Sequence, residues 1–191
     1  MLEVTPEDIH ALNDTDLREL VARLCEAEVR RAGLSPATVT WGGSQTAKDG
    51  GVDVHVALPS GVAWAEGFVP RPVTGFQVKK PGLAAKAIQV EMRPGNVLRP
   101  VIADLAAAKG AYVIVSSSGT TSHTGLADRR QAMREAVSDL PAGQALHLDF
   151  YDRRRLATWV NLFPGVVLWA REKAGGVVAG WRTWGARTSG L

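Results

Sequence analysis

The chain has little that would hold it together covalently or anchor it elsewhere. Among its 191 residues there is one cysteine, Cys25, so no internal disulfide can form, and this usage fits a reducing cytoplasm. Cys25 sits among apolar helical positions and reads as a small buried hydrophobe rather than a nucleophile. No stretch reaches the roughly 18 uninterrupted apolar residues of a membrane span, so no membrane partner is expected. The first residues, MLEVTPEDIHALNDTD, are acidic and lack the apolar centre of a secretory signal. The sequence has no GxxxxGK[ST] loop for nucleotide phosphates and no GxSxG elbow. His123, His147 and Cys25 are not spaced as zinc ligands. Aromatic residues make up 6%, and four of the six tryptophans follow residue 158, where packing of terminal elements is expected rather than base stacking. The net charge of +3 is a mild hint of a polyanionic partner and no more.

What is present is a pattern of alternating elements. NDTDLRELVARLCEAEVRRAG carries Leu17, Leu20, Val21, Leu24 and Val29 at helical spacing, with Asp14 or Thr15 as N-cap and Gly33 as terminator. In GVDVHVAL, Val52, Val54 and Val56 alternate with Asp53 and His55, the period of a strand with one apolar face. TGFQVKK is a second strand with Phe76 and Val78 opposite Gln77 and Lys79. RPVIADLAAAKG predicts a helix, AYVIVSSSG a strand covered on both faces, LADRRQAMREAVSDL a helix and ALHLDFYD a strand. RRRLATWVNLF predicts a short helix capped by Asp152, and GVVLWARE a last strand. This order implies an α/β sandwich with a mixed sheet. It is expected to form one domain over residues 1–175, followed by a Gly- and Trp-rich tail or linker over 176–191.

The polar residues inside the two strands carry the chemistry. Gln77 and Lys79, two apart, share a face. Hairpin-like pairing of the strands would bring Asp53 beside them. A carboxylate, an amide oxygen and an ammonium together suit a hard cation such as Mg²⁺ (or Mn²⁺) and the hydrolysis of a phosphodiester, in which charge on the phosphate must be offset and a nucleophile positioned.

These residues, DGGVDV followed by QVKK, resemble the PD-(D/E)xK nuclease superfamily, and within it the Mrr-type restriction endonuclease branch. The resemblance implies a restriction-endonuclease-like α/β/α sandwich around a central mixed sheet. It makes Asp53 the metal-binding aspartate, Gln77 the replacement for the usual metal-site glutamate, and Lys79 the catalytic lysine. The family also places a glutamate on the preceding helix. In LRELVARL, Arg18 stands at that position and Glu19 follows it, so Glu19 is the first choice for this catalytic and metal-binding acid and Glu26 the second. AYVIVSSSG and FYDRRRLATWV also resemble later elements of Mrr-like domains. The whole chain, ending in GWRTWG, looks like the N-terminal nuclease domain joined to antiviral STAND-type NTPases of bacteria. The expected activity is Mg²⁺-dependent cleavage of double-stranded DNA in the cytoplasm as the effector of antiphage defence, with a fused or associated STAND NTPase as sensor. Two cuts in a duplex need two active sites, hence a homo-oligomer. The alternative is a nuclease-like fold without catalysis that serves as a DNA-binding or assembly module, a reading that the amide at Gln77 keeps open.

Other residues have a functional and a plainer reading. Lys80, Arg129, Arg130, Arg153, Arg154 and Arg155 are candidate contacts to DNA phosphates, and equally solvated helix faces. His55 is expected to be structural, as is Asp49 in the turn before Gly50 and Gly51. Ser116, Ser117 and Ser118 either cap the next helix or donate to phosphate. Glu91 stands among apolar residues in IQVEMRP without an assigned role.

Overall fold

The computed structural model describes residues 3–42 and 52–176. The chain opens with a short helix, α1 (Pro6–Ala11), started by reciprocal hydrogen bonds between Thr5 and Asp8. Helix α2 (Asp14–Arg31) follows. Its N-cap is Asn13 rather than the expected Asp14 or Thr15, because the Asn13 side chain accepts the free Asp16 N–H. Leu17, Leu20, Val21, Leu24 and Val29 are buried as their spacing requires, and Cys25 with them, its thiol pushed well above the usual range by burial. Three strands come next: β1 (Val39–Trp41), β2 (Val54–Ala57) and β3 (Val73–Lys79). Helices α3 (Ala85–Met92) and α4 (Pro100–Ala107) lead to β4 (Ala111–Ser116). Helix α5 (His123–Ala136) leads to β5 (His147–Tyr151), and α6 (Arg153–Val160) and α7 (Pro164–Lys173) close the described chain.

The strands form one sheet in the order β1-β2-β3-β4-β5, antiparallel across β1, β2 and β3 and parallel across β3, β4 and β5. Alternation along each strand sends its side chains to two cores. Phe76, Val78, Val113, Val115 and Tyr151 pack with α1, α2, α6 and α7, whereas Tyr112, Ile114 and Phe150 pack with α3, α4 and α5. The architecture is therefore mixed α/β, a five-stranded mixed sheet with helices on both faces. All six residues of β4 are buried, as its near-continuous β-branched run anticipates. Gly75 is closely packed: a Cβ there would lie 2.9 Å from Leu105 Cδ1 and 3.0 Å from Val52 Cγ2, so those side chains would have to shift.

One element departs from the sequence expectation. GVVLWARE is helix α7, not a strand. Pro164 stands in its first turn, and Val166, Val167 and Ala170 are buried at helical spacing with Arg171 and Lys173 in the last turn. A short apolar run does not distinguish the two states, and packing against α2 and α6 selects the helix. Helices α1 and α3 and strand β1 were not legible at all. The turn residues Asp49, Gly50 and Gly51, and the tail from residue 177 onward, lie outside the described residues. Among the described residues no helix is long and apolar enough to cross a membrane.

The first core is centred on Trp159 of α6. Its ring stacks on Phe68 at 5.2 Å and meets Phe76 at 5.9 Å and Tyr151 at 6.3 Å. Its indole N–H donates to Glu28 of α2 at 2.9 Å, and the other oxygen of that buried carboxylate accepts from Arg31. Helix α2 is thus tied to α6 through a charge-assisted bond inside an apolar cluster. Glu28→Ala should cost about 2–4 kcal/mol, because it strands the Trp159 N–H and removes the anion facing Arg31. Glu28→Gln should cost less, since its amide oxygen still accepts from Trp159. Urea unfolding followed by Trp fluorescence checks this, with the midpoint moving at constant slope.

Candidate functional site

The ladder between β2 and β3 ends in an unusual way. One residue beyond the Val54–Phe76 pair, the Asp53 N–H still donates to the Phe76 carbonyl at 2.8 Å. The next donor, the Val78 N–H, finds not a backbone carbonyl but the Asp53 carboxylate, at 2.7 Å from Oδ2. The same oxygen accepts from Gln77 Nε2 at 2.9 Å. Asp53 and Gln77 are therefore brought together as the strand pattern requires, and Lys79 follows two residues later at the end of β3. The Asp53 carboxyl lies above its usual pKa because of burial. The Val78 N–H, Arg18 and Lys79 pull it down, and Glu91 adds to the lift.

Lys79 is held by a residue whose role the sequence left open. Its Nζ lies 3.1 Å from Oε1 of Glu91 on α3, and the same oxygen takes Arg99 Nη2 at 2.9 Å. Arg99 Nε also donates to the Glu91 backbone carbonyl at 2.6 Å, which ties the end of α3 to the start of α4. The only signal in the sequence was an acid in an apolar stretch. It becomes intelligible once Ile88 and Met92 are seen as the buried face of a helix, with Glu91 beside them.

Near this cluster Gln77 Oε1 and the Tyr112 hydroxyl are buried without a hydrogen-bond partner among the described residues. Burial and the neighbouring Glu91 raise the Tyr112 pKa, so the phenol is held neutral, and Arg99 offsets only part of that. Among the described residues no group of three or more His, Cys, Asp or Glu side chains is gathered to hold a metal. The oxygens this corner offers are the Asp53 carboxylate and the orphaned Gln77 Oε1, with Glu91 across Lys79. An all-oxygen set that includes a buried acceptor lacking a donor fits a hard cation such as Mg²⁺.

The helix acid falls elsewhere than expected. Arg18, not Glu19, reaches the site, with Nε 3.1 Å from Asp53 Oδ1. Glu19 pairs instead with Arg23 at 2.7 Å, one turn along α2, and the Arg23 guanidinium lies over the Trp169 ring. Glu26 pairs with Arg30. Neither carboxylate is bonded to Asp53, Gln77 or Lys79. Adjacent helix residues are about 100° apart, so the position that faces the sheet at 18 turns 19 aside.

The basic clusters are largely engaged inside the molecule. Buried Asp149 accepts from Arg130 at 2.7 Å and Arg155 at 3.3 Å, and Arg155 lies over the Tyr151 ring. Arg129 donates to the carbonyls of Leu83 and Gly125. Lys80 Nζ donates to the Leu12 carbonyl at 2.8 Å, closing the end of α1. Arg153 approaches Glu7 at 3.7 Å, and Arg154 is exposed. Of the serines after β4, Ser116 donates to the Pro81 carbonyl, while the cap of α5 is Ser122. His55 is half-buried, and burial lowers its pKa.

Asp149→Ala should therefore lower stability by about 1–3 kcal/mol, since two partly solvated arginines lose their anion. Arg154→Ala should stay within about 0.5 kcal/mol of wild type. Thermal unfolding of both variants checks the contrast.

Comparison of the chain with family models, with curated proteins and with solved structures finds no match.

Proposed function

We propose that the chain is a divalent-cation-dependent endonuclease that hydrolyses phosphodiester bonds of double-stranded DNA, built on a restriction-endonuclease-like core of the Mrr type. The observation that carries this reading is the bond from Gln77 to Asp53. It sets a carboxylate, an amide with a buried spare acceptor and, two residues on, an amine at one corner of the sheet. That corner lies at the carboxyl end of β3, where open α/β sheets place their ligands.

Asp53 and Gln77 Oε1 would hold the cation, and a bound Mg²⁺ or Mn²⁺ supplies charge neutralisation at the scissile phosphate. Lys79 presents its ammonium to the attacking water and to a non-bridging phosphate oxygen, so that both are held in line with the leaving oxygen. The water oxygen bonds to phosphorus as the bond from phosphorus to one sugar oxygen breaks. The proton lost by the water balances the one gained by that sugar oxygen. Glu91 keeps the Lys79 amine in place, and Arg99 keeps Glu91 in place. By the resemblance in sequence, the proposal extends to an effector of antiphage defence in the cytoplasm, working as a homo-oligomer with a fused or associated STAND NTPase.

A second reading, a nuclease-like module that binds DNA or assembles without cutting, is favoured by one observation. Arg18 already neutralises the oxygen of Asp53 that a cation would use.

Supercoiled plasmid incubated with Mg²⁺, with and without chelator, separates the two. The nuclease reading expects nicking that the chelator abolishes. Duplex binding that needs no divalent cation and leads to no nick establishes the module instead. Lys79→Ala should reduce the nicking rate at least about 100-fold while duplex affinity stays within a few-fold, because it removes a group used in the chemical step. Glu91→Gln should cost about tenfold in rate with affinity kept, since Lys79 remains but loses its anchor. Equal rates in wild type and Lys79→Ala would remove Lys79 from the mechanism.

A further inference from the structure

Resting on the nuclease reading above, we propose that Arg18 is a substrate-operated gate: its guanidinium occupies the cation position at Asp53 until a backbone phosphate of the nucleic acid draws it away. Three observations carry this. Arg18 Nε sits 3.1 Å from Asp53 Oδ1, the carboxylate oxygen that Gln77 and Val78 leave open. Among the described residues, two further cations stand close by, Lys79 and Arg99, both paired with Glu91. The Arg18 side chain is also 30% exposed, against 14% for Asp53, so part of it is open to an incoming phosphate while its Nε stays buried against the carboxylate.

A divalent cation entering beside Arg18, Lys79 and Arg99 meets like charge in a partly desolvated place, which Coulomb repulsion opposes. A polyanion removes the difficulty. A phosphate matches the flat guanidinium in two parallel hydrogen bonds and is a partner as good as the carboxylate. When Arg18 moves to it, Asp53 Oδ1 is released at the moment a negative group arrives to share the charge. Cation and nucleic acid then bind with positive coupling, and by linkage each tightens the other by the same factor. The free protein stays poorly loaded with metal and does not hydrolyse until substrate is present. Arg18 touches the substrate phosphate and is thereby also a binding residue.

The probe is Mn²⁺ itself, titrated calorimetrically at pH 8 and without nucleic acid into wild type, Arg18→Ala, Arg18→Gln and Asp53→Asn, each first shown to be folded by circular dichroism. Arg18→Gln keeps the side-chain bulk, so either folded Arg18 variant decides the question. The gate expects both Arg18 variants to bind Mn²⁺ about tenfold tighter than wild type, a coupling of ordinary size. Repeating the titration with a short duplex in the Lys79→Ala background, where turnover is blocked, should tighten Mn²⁺ binding when Arg18 is present and much less when it is absent. Unchanged or weaker Mn²⁺ binding in both Arg18 variants overturns the gate. If wild-type binding is at the same time lost in Asp53→Asn, the cation site itself stands and only the gate falls. No Mn²⁺ binding in any of the proteins overturns the gate and the metal-dependent reading together. Equal tightening by duplex with and without Arg18 overturns the handover to phosphate.

Discussion

The register of β2 against β3 is the constraint on which the rest of the site depends. A strand shifted by one residue turns every side chain to the other face. Here the Val54–Phe76 pair places apolar side chains toward α2, so Gln77 and Lys79 must look the other way, toward α3 and α4. The register is sealed by Asp53, whose backbone N–H continues the ladder and whose carboxylate then takes the Val78 N–H in place of a carbonyl. One side chain thus ends a strand pair and opens a polar corner at the same point. A carboxylate used in this way cannot be removed without loosening β3, so stability and chemistry are coupled at Asp53.

Several buried or half-buried charges among the described residues are tied to a partner on a different element or a neighbouring turn. Glu28 joins α2 to Trp159 of α6, and Asp149 of β5 gathers Arg130 and Arg155 from the helices on either side of its strand. Glu91 joins the end of α3 to Lys79 of β3 and to Arg99 before α4. Burying a charge is costly unless a partner and hydrogen bonds compensate it, and these pairs are the compensation. For this reason many of the arginines that look like a basic surface in the sequence serve as internal struts. The corner around Asp53 differs from the other pairs in one respect. It holds two buried polar atoms, Gln77 Oε1 and the Tyr112 hydroxyl, that no other described residue satisfies. Among the described residues Arg71, Arg153 and Arg171 also bury an Nε without a hydrogen-bond partner, but each of those guanidiniums is ion-paired through another nitrogen, whereas Gln77 Oε1 and the Tyr112 hydroxyl have no such relief beside Asp53, Lys79 and Glu91.

Much of this architecture could be read from local pattern, because local pattern reflects burial. The five apolar positions of α2, Val54 and Val56 of β2, the alternation of β3 and the fully buried β4 lie as their periodicity demands, whereas Val52, ahead of β2, packs in the opposite core beside Gly75 and Leu105. The pairing of Asp53 with Gln77 followed from the same alternation plus the assumption that the two strands are neighbours. Where local pattern is ambiguous the reading failed: the apolar run 165–170 suits a strand or a helix, and only its packing beside α2 and α6 makes it α7. Short elements such as α1, α3 and β1 carry too few residues for a period to be recognised.

The sequence by itself determined which residues would be buried and on which face of each strand the polar ones would stand, since both follow from the spacing of side chains along a single element. Only the tertiary structure decided their partners. That Arg18 and not Glu19 meets Asp53 depends on how α2 is rotated against the sheet. That Glu91 meets Lys79 depends on how α3 returns over β3, and that Arg130 and Arg155 converge on Asp149 depends on two helices docking beside one strand. Electrostatic interactions act between atoms close in space, and the distance between two charges on different elements is set by the packing of apolar faces rather than by their separation along the chain.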